Sequence, residues 1–130
     1  MELKSLSIRN QKQDGVNVNN MTKTEWEAFA KSLLDRGYKK WTCCKYGEED
    51  FDVSKMVRNG DRDMYQLIFR FWDFEQFRDG AGYSVDFVVM PCIDGRMDAI
   101  CSSMGNGLST NIEWAEKFAK EYYKFITERI

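Results

Sequence analysis

The stretch YQLIFRFWDFEQF, residues 65–77, decides how this chain folds. It carries six aromatic side chains: Tyr65, Phe69, Phe71, Trp72, Phe74 and Phe77. Alternation puts Tyr65, Leu67, Phe69 and Phe71 on one face of a strand. Trp72 and Phe74 have the opposite parity. Either both faces of the strand are apolar, or the parity shifts once near Phe71-Trp72. A β-bulge supplies the single extra residue such a shift needs. Burying a large apolar side chain contributes about 1.5–3 kcal/mol, which favours the bulge and a core position for Trp72 and Phe74. The other reading leaves both outside, as a stacking surface or partner site.

The flanking segments make this strand one of a meander. Strands are expected at 38–46, 51–57, 64–76, 83–93 and 97–103, with turns at RNGD (58–61), RDGAG (78–82) and IDGR (93–96). Connections this short require antiparallel pairing. A three-residue loop Ile93-Asp94-Gly95 would set Pro91 opposite Met97, Val89 opposite Ala99 and Phe87 opposite Cys101. A two-residue Asp94-Gly95 turn would instead face Phe87 with Ser102 and Val89 with Ile100. The hydrophobic pattern favours the three-residue loop. The same choice at Arg58-Asn59-Gly60 aligns Val53 with Tyr65 and Phe51 with Leu67. With the bulge in place, Phe74 faces Phe87 and Trp72 faces Val89.

Two helices bracket the meander, at about 22–36 and 110–129 of the sequence. In the first, Thr22 and Glu25 have capping-box spacing. Trp26, Phe29, Ala30, Leu33 and Leu34 then recur at helical period, and Gly37 supplies a left-handed stop. In the second, Thr110 and Glu113 repeat the box. Its apolar arc, from Ile112 and Trp114 to Phe125 and Ile126, is wider than a helix lying on one sheet face requires. A short N-terminal strand is expected around Leu6 and Ile8, followed by a polar loop at 10–20. The fold class is therefore α+β: an antiparallel meander of about five strands, with a short N-terminal strand at its edge, packed against two helices in a single domain spanning 1–130.

Composition narrows the function. A chain of 130 residues, 43% hydrophobic and 31% charged, is long enough to bury a core without metal or disulfide staples. The net charge of −2 removes the strongly basic signature of a duplex nucleic-acid binder. The aromatic strand interleaves Gln66, Ile68, Arg70, Asp73 and Glu75, and two carboxylates against one arginine would repel phosphate, so nucleic acid is not the expected partner. The longest uncharged apolar runs are far too short to cross a bilayer, and a cytoplasmic protein is expected. There is no histidine, and Cys43, Cys44, Cys92 and Cys101 form no CxxC pair, so no metal site and no cofactor are expected. Without a histidine base, a Walker loop or a GxSxG elbow, no catalytic residues are assigned and the protein is not expected to be an enzyme.

Binding is what stays open. The face of the sheet opposite the helices is expected to show Ile68, Arg70, Val88, Met90 and Ile100, an apolar centre bordered by Asp86, Asp98 and Arg96. That is the anatomy of a protein contact. Trp114 and Tyr123, on the broad final helix, are candidates for the same partner, which could be a second copy of the chain. The expected function is thus a small binding or regulatory protein, an inhibitor or adaptor of the kind mobile elements carry, that docks on another macromolecule or on itself. The order strand, helix, meander, long C-terminal helix is also similar to that of helix-grip domains, with one strand and one helix fewer. That resemblance implies a curved sheet around an apolar cavity, and hence a pocket for an apolar or aromatic small molecule lined by Trp26, Phe69, Phe87, Phe118 and Tyr122.

Overall fold

The computed structural model describes residues 21–42, 50–73, 82–98 and 111–129, and the backbone of 103–106. Helix α1 (Lys23–Asp35) leads into strands β1 (Lys39–Trp41), β2 (Phe51–Asn59), β3 (Arg62–Asp73), β4 (Tyr83–Ile93), β5 (Arg96–Met97) and β6 (Ser103–Asn106), and helix α2 (Ile112–Thr127) follows. All strand pairs are antiparallel, in the order β1-β2-β3-β4, with β5 and β6 both pairing with β4. This is the expected α+β meander on two helices. The expected N-terminal strand lies outside the described residues.

The helix ends follow from local chemistry. The Thr22 hydroxyl accepts the Glu25 N–H at 3.2 Å, and the Glu25 carboxylate accepts the Thr22 N–H at 3.0 Å, closing the capping box. At the other end Gly37 takes φ +91°, so that Tyr38 N–H reaches Leu33 O and Gly37 N–H reaches Leu34 O. Leu34 departs from its expected place on the packed stripe and is exposed. Helix α2 is capped by Asn111, whose side-chain oxygen accepts the Trp114 N–H at 2.9 Å. The expected cap, Thr110, lies outside the described residues. Asn caps at least as well as Thr, and here it takes the role one residue later.

Three register expectations are corrected. Between β2 and β3 the pairs are Phe51 with Phe71, Val53 with Phe69 and Val57 with Tyr65. The loop is the two-residue Gly60-Asp61 turn, with Gly60 at φ +63°, the glycine-first pattern that suits the twist of a hairpin. A bulge does occur in this hairpin, but at Val57/Arg58, where Met64 is the extra residue opposite. Between β4 and β5, Ile93 pairs with Arg96 across an Asp94-Gly95 turn, and Asp94 (φ 53°) and Gly95 (φ 79°) are both left-handed. That is the turn an Asp-Gly pair favours intrinsically, and it outweighed the hydrophobic match. The register then moves by three residues between β5 and β6, where Phe87 faces Gly105 and Val89 faces Ser103, so the fifth strand is broken in two.

The third correction concerns the opening stretch. Strand β3 runs unbulged beside β4, with Phe69 opposite Phe87, Phe71 opposite Val85 and Trp72 opposite Ser84. Phe71 belongs to the core, whereas half-buried Trp72 points to the other face. Phe74 lies outside the described residues. Regular pairing keeps the ladder between β3 and β4 continuous from Tyr65 to Asp73, which a bulge at Phe71-Trp72 would have broken. The apolar side chains on both faces need no shift once the second face is itself half buried.

The core sits between the helices and one sheet face. The ring of Trp26 lies 5.1 Å from that of Phe51 and 5.7 Å from that of Phe71, and its indole N–H donates to Ser84 O at 3.1 Å. Phe29 meets Phe69, while Trp114 and Phe118 meet Phe87 edge-on. The width of the α2 arc is accounted for inside the chain. Ile112, Trp114, Ala115, Phe118, Ala119, Tyr122 and Tyr123 are all buried in the same core. Arg36 at the end of α1 also pairs with Glu113 and Glu116 of α2, tying the helices together. Among the described residues no helix is long and apolar enough to cross a membrane.

Candidate functional site

Both helices pack on one face of the sheet, so the other face depends on what the strands themselves present. Register fixes its rows. Met56, Gln66 and Met90 form one row, Ser54, Ile68 and Val88 the next, then Asp52, Arg70 and Asp86, and finally Trp72 and Ser84. At the β1 edge Trp41 pairs with Asp52 and is 49% exposed. Its indole N–H nevertheless donates to the Ser54 hydroxyl at 2.8 Å, and that hydroxyl also accepts from the Gln66 amide at 3.1 Å. An exposed tryptophan is thereby held in place. At the other edge Met97, opposite Cys92, is also exposed.

The middle of this face is charged. Arg70 grips Asp86 with two parallel bonds, Nε to Oδ1 at 2.8 Å and Nη2 to Oδ2 at 3.0 Å. The two side chains are 26% and 15% exposed, well below the exposure of an ordinary surface pair. The guanidinium carbon also lies 5.3 Å from the centre of the Trp72 ring, within cation–π reach. Asp52 stands across the strand from Arg70 on its other side. The expected apolar centre with a charged rim is therefore inverted, because the register threads Arg70 between two carboxylates.

Burial pushes the Asp52 carboxyl above its ordinary value of 3.8, Arg70 opposes that shift, and Asp86 adds to it. A carboxyl with a raised folded-state pKa holds its proton more tightly folded than unfolded. It therefore favours the fold below about pH 3.8 and costs stability as the pH rises through the folded value. Asp52→Asn is expected to unfold at higher urea than the parent at pH 7, with the advantage shrinking toward zero at pH 3. A less stable variant at pH 7 would mean that attraction to Arg70 outweighs burial.

Of the residues expected at a partner site, Ile68, Arg70, Val88 and Met90 lie together on this face, all half buried. Ile100 lies outside the described residues. Trp114 and Tyr123 are not brought to this face. They are buried on the helix side, against Phe87 and Tyr65 respectively, because the α2 arc is spent on the core. The residues expected to line a pocket, Trp26, Phe69, Phe87, Phe118 and Tyr122, are buried in one cluster. Phe69 packs on Phe87, Phe87 on Phe118, and Phe118 on Tyr122, with centroids 5.6–6.4 Å apart. Trp41 and Asp52 belong to the second face and were not expected there, and Trp72 lies there as only the alternative reading of the aromatic strand had it. Parity alone would have found Trp72. Trp41 carries the signal of a tryptophan in a short lysine-flanked segment, typical of a protected edge strand. Comparison with family models, with curated proteins and with solved structures finds no match to this chain.

Proposed function

We propose that this protein is a non-catalytic binding protein, an inhibitor or adaptor, that docks on a protein partner through the sheet face centred on Ile68, Arg70, Val88 and Met90. The observation that carries this reading is the composition of a face that neither helix covers. It presents tryptophan, methionine and arginine, the side chains enriched in protein contacts, on a rigid scaffold. The charged row also favours one kind of partner. Two carboxylates share one guanidinium, and Asp52 is the carboxylate that the Arg70 fork does not grip. A partner with an apolar surface and a projecting lysine or arginine would complement it. The lack of histidine fits a protein that works by occupancy rather than chemistry. A cytoplasmic setting belongs to the same reading, in keeping with the buried free thiol of Cys92.

The test compares variants. Met90→Glu and Trp41→Ala are expected to lose every specific cross-link to the partner, while retaining the parent's circular dichroism. Lys124→Glu, on the exposed side of α2, should keep them all. The reading fails if both face variants still cross-link, or if Lys124→Glu loses the contacts equally. A concentration-dependent dimer in sedimentation, abolished by Met90→Glu, would assign the face to a second copy and overturn the separate partner.

A further inference from the structure

On the helix side, α2 does not close completely over the sheet. A cleft of about 340 Å³ lies between it and strands β2 and β3, walled by Tyr38, Lys55, Tyr65, Glu116, Lys117 and Lys120. We propose that this cleft binds a small organic anion, a carboxylate or phosphate ester attached to one apolar ring or a short chain. The proposal does not depend on the docking face, which lies on the opposite side of the sheet.

Three observations converge on that ligand. The first is a phenol on the cleft wall. Tyr65 lines the cleft, and its hydroxyl makes no hydrogen bond to another of the described residues. A phenol placed there is a donor available to an acceptor from outside. Its neighbour Tyr38 differs, since that phenol donates to Glu116 Oε2 at 2.9 Å.

The second observation is uncompensated positive charge. Lys55, Lys117 and Lys120 border the cleft, and none has a carboxylate partner among the described residues. The single carboxylate in the wall, Glu116, is already engaged by the Tyr38 phenol and by Arg36 at 3.6 Å. An anion entering here meets three ammonium groups, of which Lys55 lies over the Tyr38 ring, and one acid that Arg36 partly offsets. The third is the floor, where Val57, Leu67 and the tyrosine rings supply the apolar surface that a ring or chain would cover. The volume is near the lower end of the range of roughly 300–1,000 Å³ that small-molecule sites span, which suits a ligand of one ring.

The experiment titrates the purified protein with benzoate, phenyl phosphate, inorganic phosphate and benzylamine, following binding by chemical shifts of the tyrosine rings. Saturable shifts at Tyr38 and Tyr65 with benzoate or phenyl phosphate are expected, and whichever binds tighter names the anionic group. Tyr65→Phe should weaken that binding by about 3- to 10-fold, the value of one hydrogen bond. Its urea midpoint should stay close to the parent's, because the deleted hydroxyl bonds to none of the described residues. Lys120→Gln should weaken binding by about 2- to 5-fold, and Lys124→Gln, outside the cleft, should not change it. Absence of saturation with both organic anions would overturn the proposal. So would equal binding of benzylamine, equal binding of inorganic phosphate, or full affinity in Tyr65→Phe.

Discussion

Replacing Phe71 with alanine is expected to cost about 3–5 kcal/mol, and replacing Trp72, its neighbour in sequence, only about 1 kcal/mol. The larger residue gives the smaller effect because of where each side chain points. Phe71 is 1% exposed and stacks on Phe51 at 4.7 Å with the rings nearly parallel. Trp26 and Phe29 close over it from α1. Truncation would leave a cavity among three rings that the rigid sheet cannot collapse. Trp72 lies on the opposite face, half buried, with the Arg70 guanidinium 5.3 Å from its ring centre. Domains of this size are stable by about 5–15 kcal/mol, so Phe71→Ala would leave little margin at room temperature. Urea denaturation of both variants measures the difference directly. Equal losses would mean that the parity of β3 changes before Trp72, which would restore the bulge that the register excludes.

The elements of this fold were legible where local chemistry and periodicity agree. Thr22 to Glu25 and Gly37 mark α1 unambiguously, because a cap and a left-handed stop are local devices. The strands were legible for a similar reason, since each is bounded by glycine, asparagine or aspartate. Register was not legible in the same way. Hydrophobic alternation favoured a three-residue loop at Ile93-Asp94-Gly95, but Asp94 and Gly95 both adopt left-handed backbone and close a two-residue turn. The register then moves by three residues before β6, so that Phe87 faces Gly105 and Val89 faces Ser103. A shift of that kind leaves no mark in a single hairpin's sequence.

The site was half legible for a related reason. Ile68, Arg70, Val88 and Met90 share a face in any register that puts Phe69, Phe87 and Val89 together on the core face. Which carboxylates flank Arg70 depends on the absolute pairing, and so the charged row was misplaced to the rim. Trp114 shows the opposite failure. A broad apolar arc on a helix has the same sequence pattern whether it is covered by a partner or by the chain's own sheet. Only the packing of Trp114 on Phe87, and of Tyr123 on Tyr65, distinguishes them.

Arg70 is where the two faces of that problem meet, and Arg70→Met is expected to cost about 1.5–3 kcal/mol, the range for hydrogen bonds to charged groups. An exposed ion pair would be worth at most about 1 kcal/mol. The higher range applies because the pair is bidentate and mostly removed from water. Methionine preserves the apolar stem beside Trp72, so the loss isolates the guanidinium. What it leaves behind matters as much, since Asp52 and Asp86 would then share one face without the cation between them. Arg70→Lys should recover only part of the loss, because a lysine keeps the charge but not the planar fork that matches a carboxylate. The pair with Asp86 is then separated from the rest by a double-mutant cycle with Asp86→Asn. A coupling above about 1 kcal/mol would identify the Asp86 fork as the main contribution. If Arg70→Met instead costs less than about 0.5 kcal/mol, the row behaves as solvated surface charge. The face would then lack the rigid, preorganised centre on which the docking reading depends.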